Sequence, residues 1–144
     1  MSFDFIRLKF IDKYGKTKYN EFVLSLYDSF PRRDTLFFWQ EKLVNDLFKE
    51  LNIQLLDLDD VYKIFNYCPL HDIELLHDNV PIVDGENYKE VYDYSLSRKL
   101  FPLANINAPR DLTRFTYPQN LNVYYCSTCR QIQEITISEI ENIE

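Results

Sequence analysis

All three cysteines of this 144-residue chain fall in two short motifs with the same spacing. The first motif is Cys68-Pro-Leu-His71 and the second is Cys126-Ser-Thr-Cys129. Two intervening residues let a tight turn direct both flanking side chains at one point, and three thiolates with one imidazole complete a tetrahedral ligand set for zinc. We therefore predict that Cys68, His71, Cys126 and Cys129 bind one structural Zn²⁺ ion.

Three alternatives for the cysteines stay open at this point. Iron in a rubredoxin-like site is one, a disulfide between Cys126 and Cys129 is the second, and buried free thiols beside an incidental histidine are the third. An odd cysteine count and an N-terminus without a basic, apolar export segment favour reduced thiols and a cytoplasmic protein. Four protein ligands leave no open position for water, so we do not expect metal catalysis.

The separation of the two motifs is unusually long. Between His71 and Cys126 lie 54 residues, whereas ordinary zinc ribbons have about 15–20. Loop-closure entropy grows with the logarithm of loop length, so the extra chain costs only about 1 kcal/mol. Structural zinc supplies an apparent ~10–16 kcal/mol. The long insertion therefore does not exclude the metal site.

The N-terminal half is predicted to form a β-hairpin and one amphipathic helix. Apolar residues alternate in 3–11 and again in 19–27, and Gly15 supplies the turn between them. Asp34 is the predicted N-cap of a helix that runs to Leu51 with apolar residues at helical spacing. Asn52 then ends this helix in a left-handed conformation.

The C-terminal half is predicted to be a zinc-ribbon-like antiparallel β region with a long helical and loop insertion between the two motifs. The fold class is thus α+β, in a single domain over 1–144 whose subregions are 1–58 (hairpin plus helix) and 61–137 (ribbon), with the insertion at 84–120. The predicted strands are 53–58, 61–67, 73–76, 80–83, 121–125 and 131–137; residues 88–100 are a predicted helix and 102–120 a predicted surface loop.

Charge is unevenly distributed along the chain. Residues 1–50 carry nine basic and eight acidic residues, whereas 51–144 carry seven and fifteen, within a net charge of −7. Such an acidic surface repels phosphate, which disfavours a zinc-ribbon regulator that binds nucleic acid, and it suits a basic protein partner. The alternative is that these charges are solvated and only keep the protein soluble. The candidate partner-binding residues are Asp57, Asp59, Asp60, Asp72, Glu74 and Asp78.

The predicted function is a non-catalytic protein-binding protein stabilised by one structural zinc. Its specific form is an immunity or antitoxin-like protein that neutralises a basic effector, because attraction between opposite charges speeds encounter. No Gly-rich phosphate loop, nucleophile elbow or Ser/His/Asp set is visible in the sequence. A small enzyme with a site near His77 is the first alternative, and the nucleic-acid-associated regulator is the second.

Four segments of the chain together resemble a group of small, mostly uncharacterised bacterial zinc-knuckle proteins. These segments are Tyr67-Cys-Pro-Leu-His71, Val80-Pro-Ile-Val83 ahead of Gly85, Lys99-Leu-Phe-Pro-Leu-Ala-Asn105 and Val123-Tyr-Tyr-Cys-Ser-Thr-Cys-Arg130. The resemblance covers about half of the chain and departs at Asp84, where an aromatic residue is expected. It implies metal ligands at the two motifs and brings no activity with it.

Overall fold

A computed structural model of the chain describes residues 2–27, 34–54, 57–83, 100–106, 108–109 and 120–143. These residues combine helices with a small sheet, which confirms the predicted α+β class. They divide into two compact units, residues 1–70 and 71–144, and each unit is described by itself. The single domain over 1–144 stays a prediction.

The first unit is helical in its described part. Its first two helices lie where the β-hairpin was expected, so that prediction is wrong. Gly15 separates them with a φ of 91°, a left-handed conformation that glycine adopts without strain. The helices are α1 (Phe3–Tyr14), α2 (Lys16–Leu26), α3 (Phe38–Glu50) and α4 (Leu58–Ile64).

The hairpin prediction failed because a short alternating pattern also contains a helical one. Ile6 and Phe10, four residues apart, are buried on α1, whereas Leu8 between them is 61% exposed. On α2 the buried residues Tyr19, Phe22, Val23 and Leu26 repeat at intervals of three and four. That period places them on one face of a helix, and packing of this face decides the structure.

Three phenylalanines form the centre of the first unit's core. The ring centroids of Phe10 and Phe22 lie 4.8 Å apart, and the Phe65 ring lies 4.8 Å from Phe22 and 5.5 Å from Phe10. All three side chains are fully buried. The contacts of Phe65 are edge-on, the geometry that aromatic quadrupoles favour.

The predicted amphipathic helix is present as α3, but it begins later than expected. Its N-cap is Phe37 rather than Asp34, and the Phe37 backbone N–H donates to Oε1 of the buried Gln40 at 2.8 Å. A glutamine that reaches back to the N-cap amide satisfies one of the orphan donors at a helix start. Asn52 has a φ of 56°, which confirms the left-handed conformation predicted after this helix.

Helix α4 replaces the strand predicted over 61–67. The Asp57 carboxylate accepts the backbone N–H of Asp60 and so caps this helix. Val61, Ile64 and Phe65 are buried at helical spacing. The strand expected over 53–58 is also absent from its described positions, and residues 55–56 lie outside the described residues.

The second unit contains a three-stranded sheet in the order β2-β1-β3. β1 pairs antiparallel with β3, from Leu76 opposite Tyr125 to Pro81 opposite Asn120, and it pairs parallel with β2. β1 contains the strand expected at 80–83, but of the strand expected at 73–76 it includes only Leu76. β2 lies inside the predicted surface loop. The strands are β1 (Leu76–Val83), β2 (Ala108–Pro109) and β3 (Asn120–Tyr125).

The second unit ends in helix α5 (Ser127–Ile143), where a strand was predicted over 131–137. The β-branched residues in this segment favour a strand by intrinsic propensity, but propensity is a weak determinant that tertiary context overrides. Cys129 and Gln133 are buried four residues apart, and Glu134 on the next position is exposed. The predicted ribbon order of strand, motif and strand is therefore wrong on the C-terminal side of Cys129, as it is before Cys68.

The helix predicted over 88–100 falls almost entirely outside the described residues, as do 107 and 110–119 of the predicted loop. In the part of the chain that is described, no helix is both long and apolar enough to cross a membrane.

Replacing Phe22 with alanine should destabilise the fold by about 3–5 kcal/mol, because it removes a fully buried ring and leaves a cavity among Phe10 and Phe65. Urea denaturation followed by circular dichroism measures the change. The matched control is Phe38→Ala, since the Phe38 side chain is 83% exposed and its loss should change stability by no more than about 0.5 kcal/mol. Equal losses for the two variants would contradict the helical core.

Candidate metal centre

The side chains of Cys68, His71, Cys126 and Cys129 converge. Each offers one ligand atom, and these four atoms all lie within 4.8 Å of one another. The three cysteines are fully buried and His71 is half-buried. The two motifs therefore meet, although 54 residues separate them in the sequence.

Two separations between ligand atoms match those of a tetrahedral site. Zn–S and Zn–N bonds of about 2.3 and 2.0 Å at the tetrahedral angle place a sulfur and a nitrogen ligand about 3.5 Å apart. Nδ1 of His71 lies 3.4 Å from Sγ of Cys126 and 3.5 Å from Sγ of Cys129. Both nitrogen–sulfur separations therefore match the edge of a zinc tetrahedron.

The second motif lies at the junction between β3 and α5. Cys126 follows the last residue of the strand, and its backbone N–H donates to the Leu103 carbonyl at 2.9 Å. Its Sγ accepts the backbone N–H of Cys129 at 3.3 Å, the position at which a serine or aspartate N-cap accepts. The amide donor and the positive end of the helix both stabilise a thiolate here.

The first motif follows α4 and is a tight turn. Nζ of Lys16 donates to the Pro69 carbonyl at 3.0 Å, and Pro69 itself is buried. Asp72 ends the turn with a φ of 54°. Proline fixes its own φ and so restricts the backbone of this turn before any ion binds.

Arg130, the residue after the second motif, holds the neighbouring chain in place. Its guanidinium donates to the Ala104 and Asn105 carbonyls at 2.7 and 2.9 Å and to the Asp78 carboxylate at 2.8 Å. It also stacks over the Tyr125 ring, 3.5 Å from the centroid. Three directed donors and one stacked face use the properties that distinguish arginine from lysine.

The contacts of Arg130 give a structural role to one of the segments that carries the resemblance. Phe101, Leu103 and Ala104 are buried, and the Asn105 side-chain amide donates to the Tyr124 carbonyl at 2.7 Å. This segment therefore lies against the end of β3, where it also accepts the Cys126 amide. Sequence reasoning missed the arrangement; the only signal was a basic residue directly after the C-x2-C motif.

The candidate partner-binding acids differ in what they already contact. The Asp57 carboxylate caps α4. Asp59, on the first turn of α4, has an exposed side chain, as have Asp72 and Glu74. Asp78 is paired with Arg130, and this hydrogen bond lowers the pKa of the Asp78 carboxyl. Asp78 therefore has a structural contact that its position in the sequence did not predict.

His77 lies on β1, exposed, with its ring edge-on to Tyr124 at a centroid distance of 4.2 Å. It does not belong to the four-ligand group.

No family model, curated protein or solved structure matches this chain. The resemblance to bacterial zinc-knuckle proteins therefore stays a prediction.

The two histidines provide a matched test of the metal centre. His71→Ala should reduce the divalent metal bound per chain from one ion to well below one, because it removes a ligand. His77→Ala should retain one ion. Elemental analysis of protein purified under reducing conditions measures both, and equal metal content in the two variants would contradict the ligand assignment.

The ion pair of Asp78 and Arg130 should make stability depend on pH. Because the Asp78 pKa is lowered in the folded state, the pair stabilises the fold above the ordinary aspartate pKa of about 3.9 and loses this effect as pH falls through the lowered value. Asp78→Asn should therefore lower the melting temperature at pH 7. The difference from the unmodified protein should shrink as pH falls below about 4. A difference independent of pH would show that the charge is not involved.

Proposed function

We propose that this chain is a protein-binding protein without catalytic activity, whose fold is stabilised by one Zn²⁺ ion at Cys68, His71, Cys126 and Cys129. The convergence of four ligand atoms within 4.8 Å supports the metal site, and the excess of acidic residues supports a basic protein partner. Four protein ligands saturate tetrahedral zinc and leave no position for a reacting water, which is the character of structural sites.

The donor set supports zinc over the other divalent ions. Three thiolates and one imidazole are soft ligands, whereas magnesium and calcium prefer oxygen. Iron also accepts thiolates in tetrahedral sites. A visible absorption spectrum distinguishes the two metals, because a ferric thiolate site absorbs visible light whereas zinc, with its filled d shell, does not.

Charge supports a basic protein as the partner. The chain carries a net charge of −7, and all of the acidic excess lies after residue 50. Attraction between opposite charges steers the encounter of two proteins and can raise their association rate by a factor of about 10–10³. An immunity or antitoxin-like protein that covers a basic effector is the specific form of this proposal, since the effector must be captured quickly.

The test is to isolate the partner and to measure the association rate with purified components. A triple variant with Asp60→Asn, Asp72→Asn and Glu74→Gln removes three acids near the predicted clusters, and asparagine at position 72 tolerates the positive φ found there. Association should slow about tenfold at low salt, and the difference should narrow as salt rises.

The control variant carries Asp12→Asn, Glu21→Gln and Glu134→Gln, three exposed acids elsewhere. It has the same net charge as the test variant, so a specific surface predicts a clearly smaller effect. Equal effects of the two variants would show a general charge effect. An acidic partner, or a chain that turns over a substrate, would contradict the proposed function.

A further inference from the structure

A cavity of about 360 Å³ opens in the first unit beside α3 and α4. We call it the α3–α4 groove and define it by four apolar and two acidic lining residues. These residues are Leu36, Val44, Leu58 and Val61, with Asp34 and Glu41.

The floor of the groove is apolar. Val44 and Val61 are each 3% exposed, while Leu36 and Leu58 are half-buried and so are partly open to solvent. The volume is at the lower end of the range of ligand pockets, which run from about 300 to 1,000 Å³. The groove therefore has room for at least one large apolar side chain of a partner.

The rim of the groove is acidic. Asp34 and Glu41, the two charged lining residues, are both exposed. Among the described lining residues there is no basic side chain. An apolar floor beside two exposed carboxylates is complementary to an apolar side chain flanked by lysine or arginine.

Exposed aromatic rings extend this surface at the start of α3. Phe37 and Phe38 directly follow the lining residue Leu36, and their side chains are 46% and 83% exposed. Aromatic residues are enriched in protein interfaces, where they supply much of the binding energy. Their faces also attract lysine and arginine through cation–π contacts, so they favour the same kind of partner as the acidic rim.

We infer that the α3–α4 groove is the docking site for a basic segment of the partner protein, which places one apolar side chain on the floor and lysine or arginine beside Asp34, Glu41 and Phe38. The inference rests on the proposed function and assigns it a surface. It places the docking site at the groove, whereas the sequence analysis named two acidic clusters, one at Asp57, Asp59 and Asp60 and one at Asp72, Glu74 and Asp78.

The probe is a synthetic peptide, Lys-Arg-Lys-Leu-Lys-Arg-Lys, titrated into the ¹⁵N-labelled, zinc-loaded protein. Amide shifts should be confined to residues around the groove, with Val44, Asn45 and Val61 among them. The same peptide with serine in place of leucine should bind about tenfold more weakly, because the loss of one buried leucine side chain corresponds to at least a factor of ten in Kd.

Two protein variants separate the groove from general acidity. Glu41→Lys should weaken the leucine peptide about tenfold, and Phe38→Ala should weaken it by a smaller factor. Glu134→Lys makes the same charge change on α5, where Glu134 is exposed, and should leave the affinity nearly unchanged. Equal weakening by Glu41→Lys and Glu134→Lys, or equal affinity of the two peptides, would overturn the inference.

The purified partner distinguishes failure of this inference from failure of the proposed function. If the partner binds and protects amides around Asp72 and Glu74 rather than those around Val44 and Val61 from hydrogen exchange, the groove is not the docking site and the proposed function stands. If neither the peptide nor any basic protein binds, both are wrong.

Discussion

The convergence of three thiols and one imidazole is the interaction on which the rest of the structure depends. Folded domains are stable by only about 5–15 kcal/mol, and a structural zinc ion contributes an apparent ~10–16 kcal/mol. A zinc ion at these four ligands would therefore contribute as much free energy as a whole fold of this size retains. Without an ion, apolar packing alone would have to stabilise the arrangement of the three buried thiols. A small helical core and a three-stranded sheet offer limited apolar burial for this.

The geometry of the ligands is set by backbone contacts around the second motif. Cys126 is held by the Leu103 carbonyl and accepts the Cys129 amide, so the strand end and the helix start fix the direction of both thiols. Arg130 then joins the same point to Ala104, Asn105 and Asp78. A ligand pair supported in this way needs little rearrangement to bind an ion, and such supporting contacts tune metal affinity by about 10–100-fold.

The grouping of Cys68, His71, Cys126 and Cys129 could be predicted from sequence because residue chemistry and spacing alone identify them as candidate ligands. Most of the secondary structure around them could not. The alternation of Ile6, Leu8 and Phe10 satisfied a strand pattern, while the structure buries only Ile6 and Phe10, which are also one helical turn apart. Residues 131–137 are rich in isoleucine and threonine and favour a strand locally. They are nevertheless part of α5, which begins at Ser127, directly after the capping residue Cys126.

Other features depend on contacts that no local pattern encodes. The Arg130 contacts join residues 25 to 52 positions apart, and the α3–α4 groove combines residues from 34 to 61. By contrast, the apolar period of α3 and the left-handed Asn52 are local properties, and both were predicted correctly. Local chemistry was therefore readable from the sequence, whereas arrangement in space was not.

The metal centre and the α3–α4 groove together support the proposal of a protein whose bound zinc would maintain its shape and whose surface would contact a basic partner. X-ray absorption at the zinc edge of the purified protein tests the first and more fundamental part. The account predicts a first shell of three sulfur atoms at about 2.3 Å and one nitrogen at about 2.0 Å. Protein that folds with no bound transition metal, or a first shell containing water or carboxylate oxygen, would contradict it.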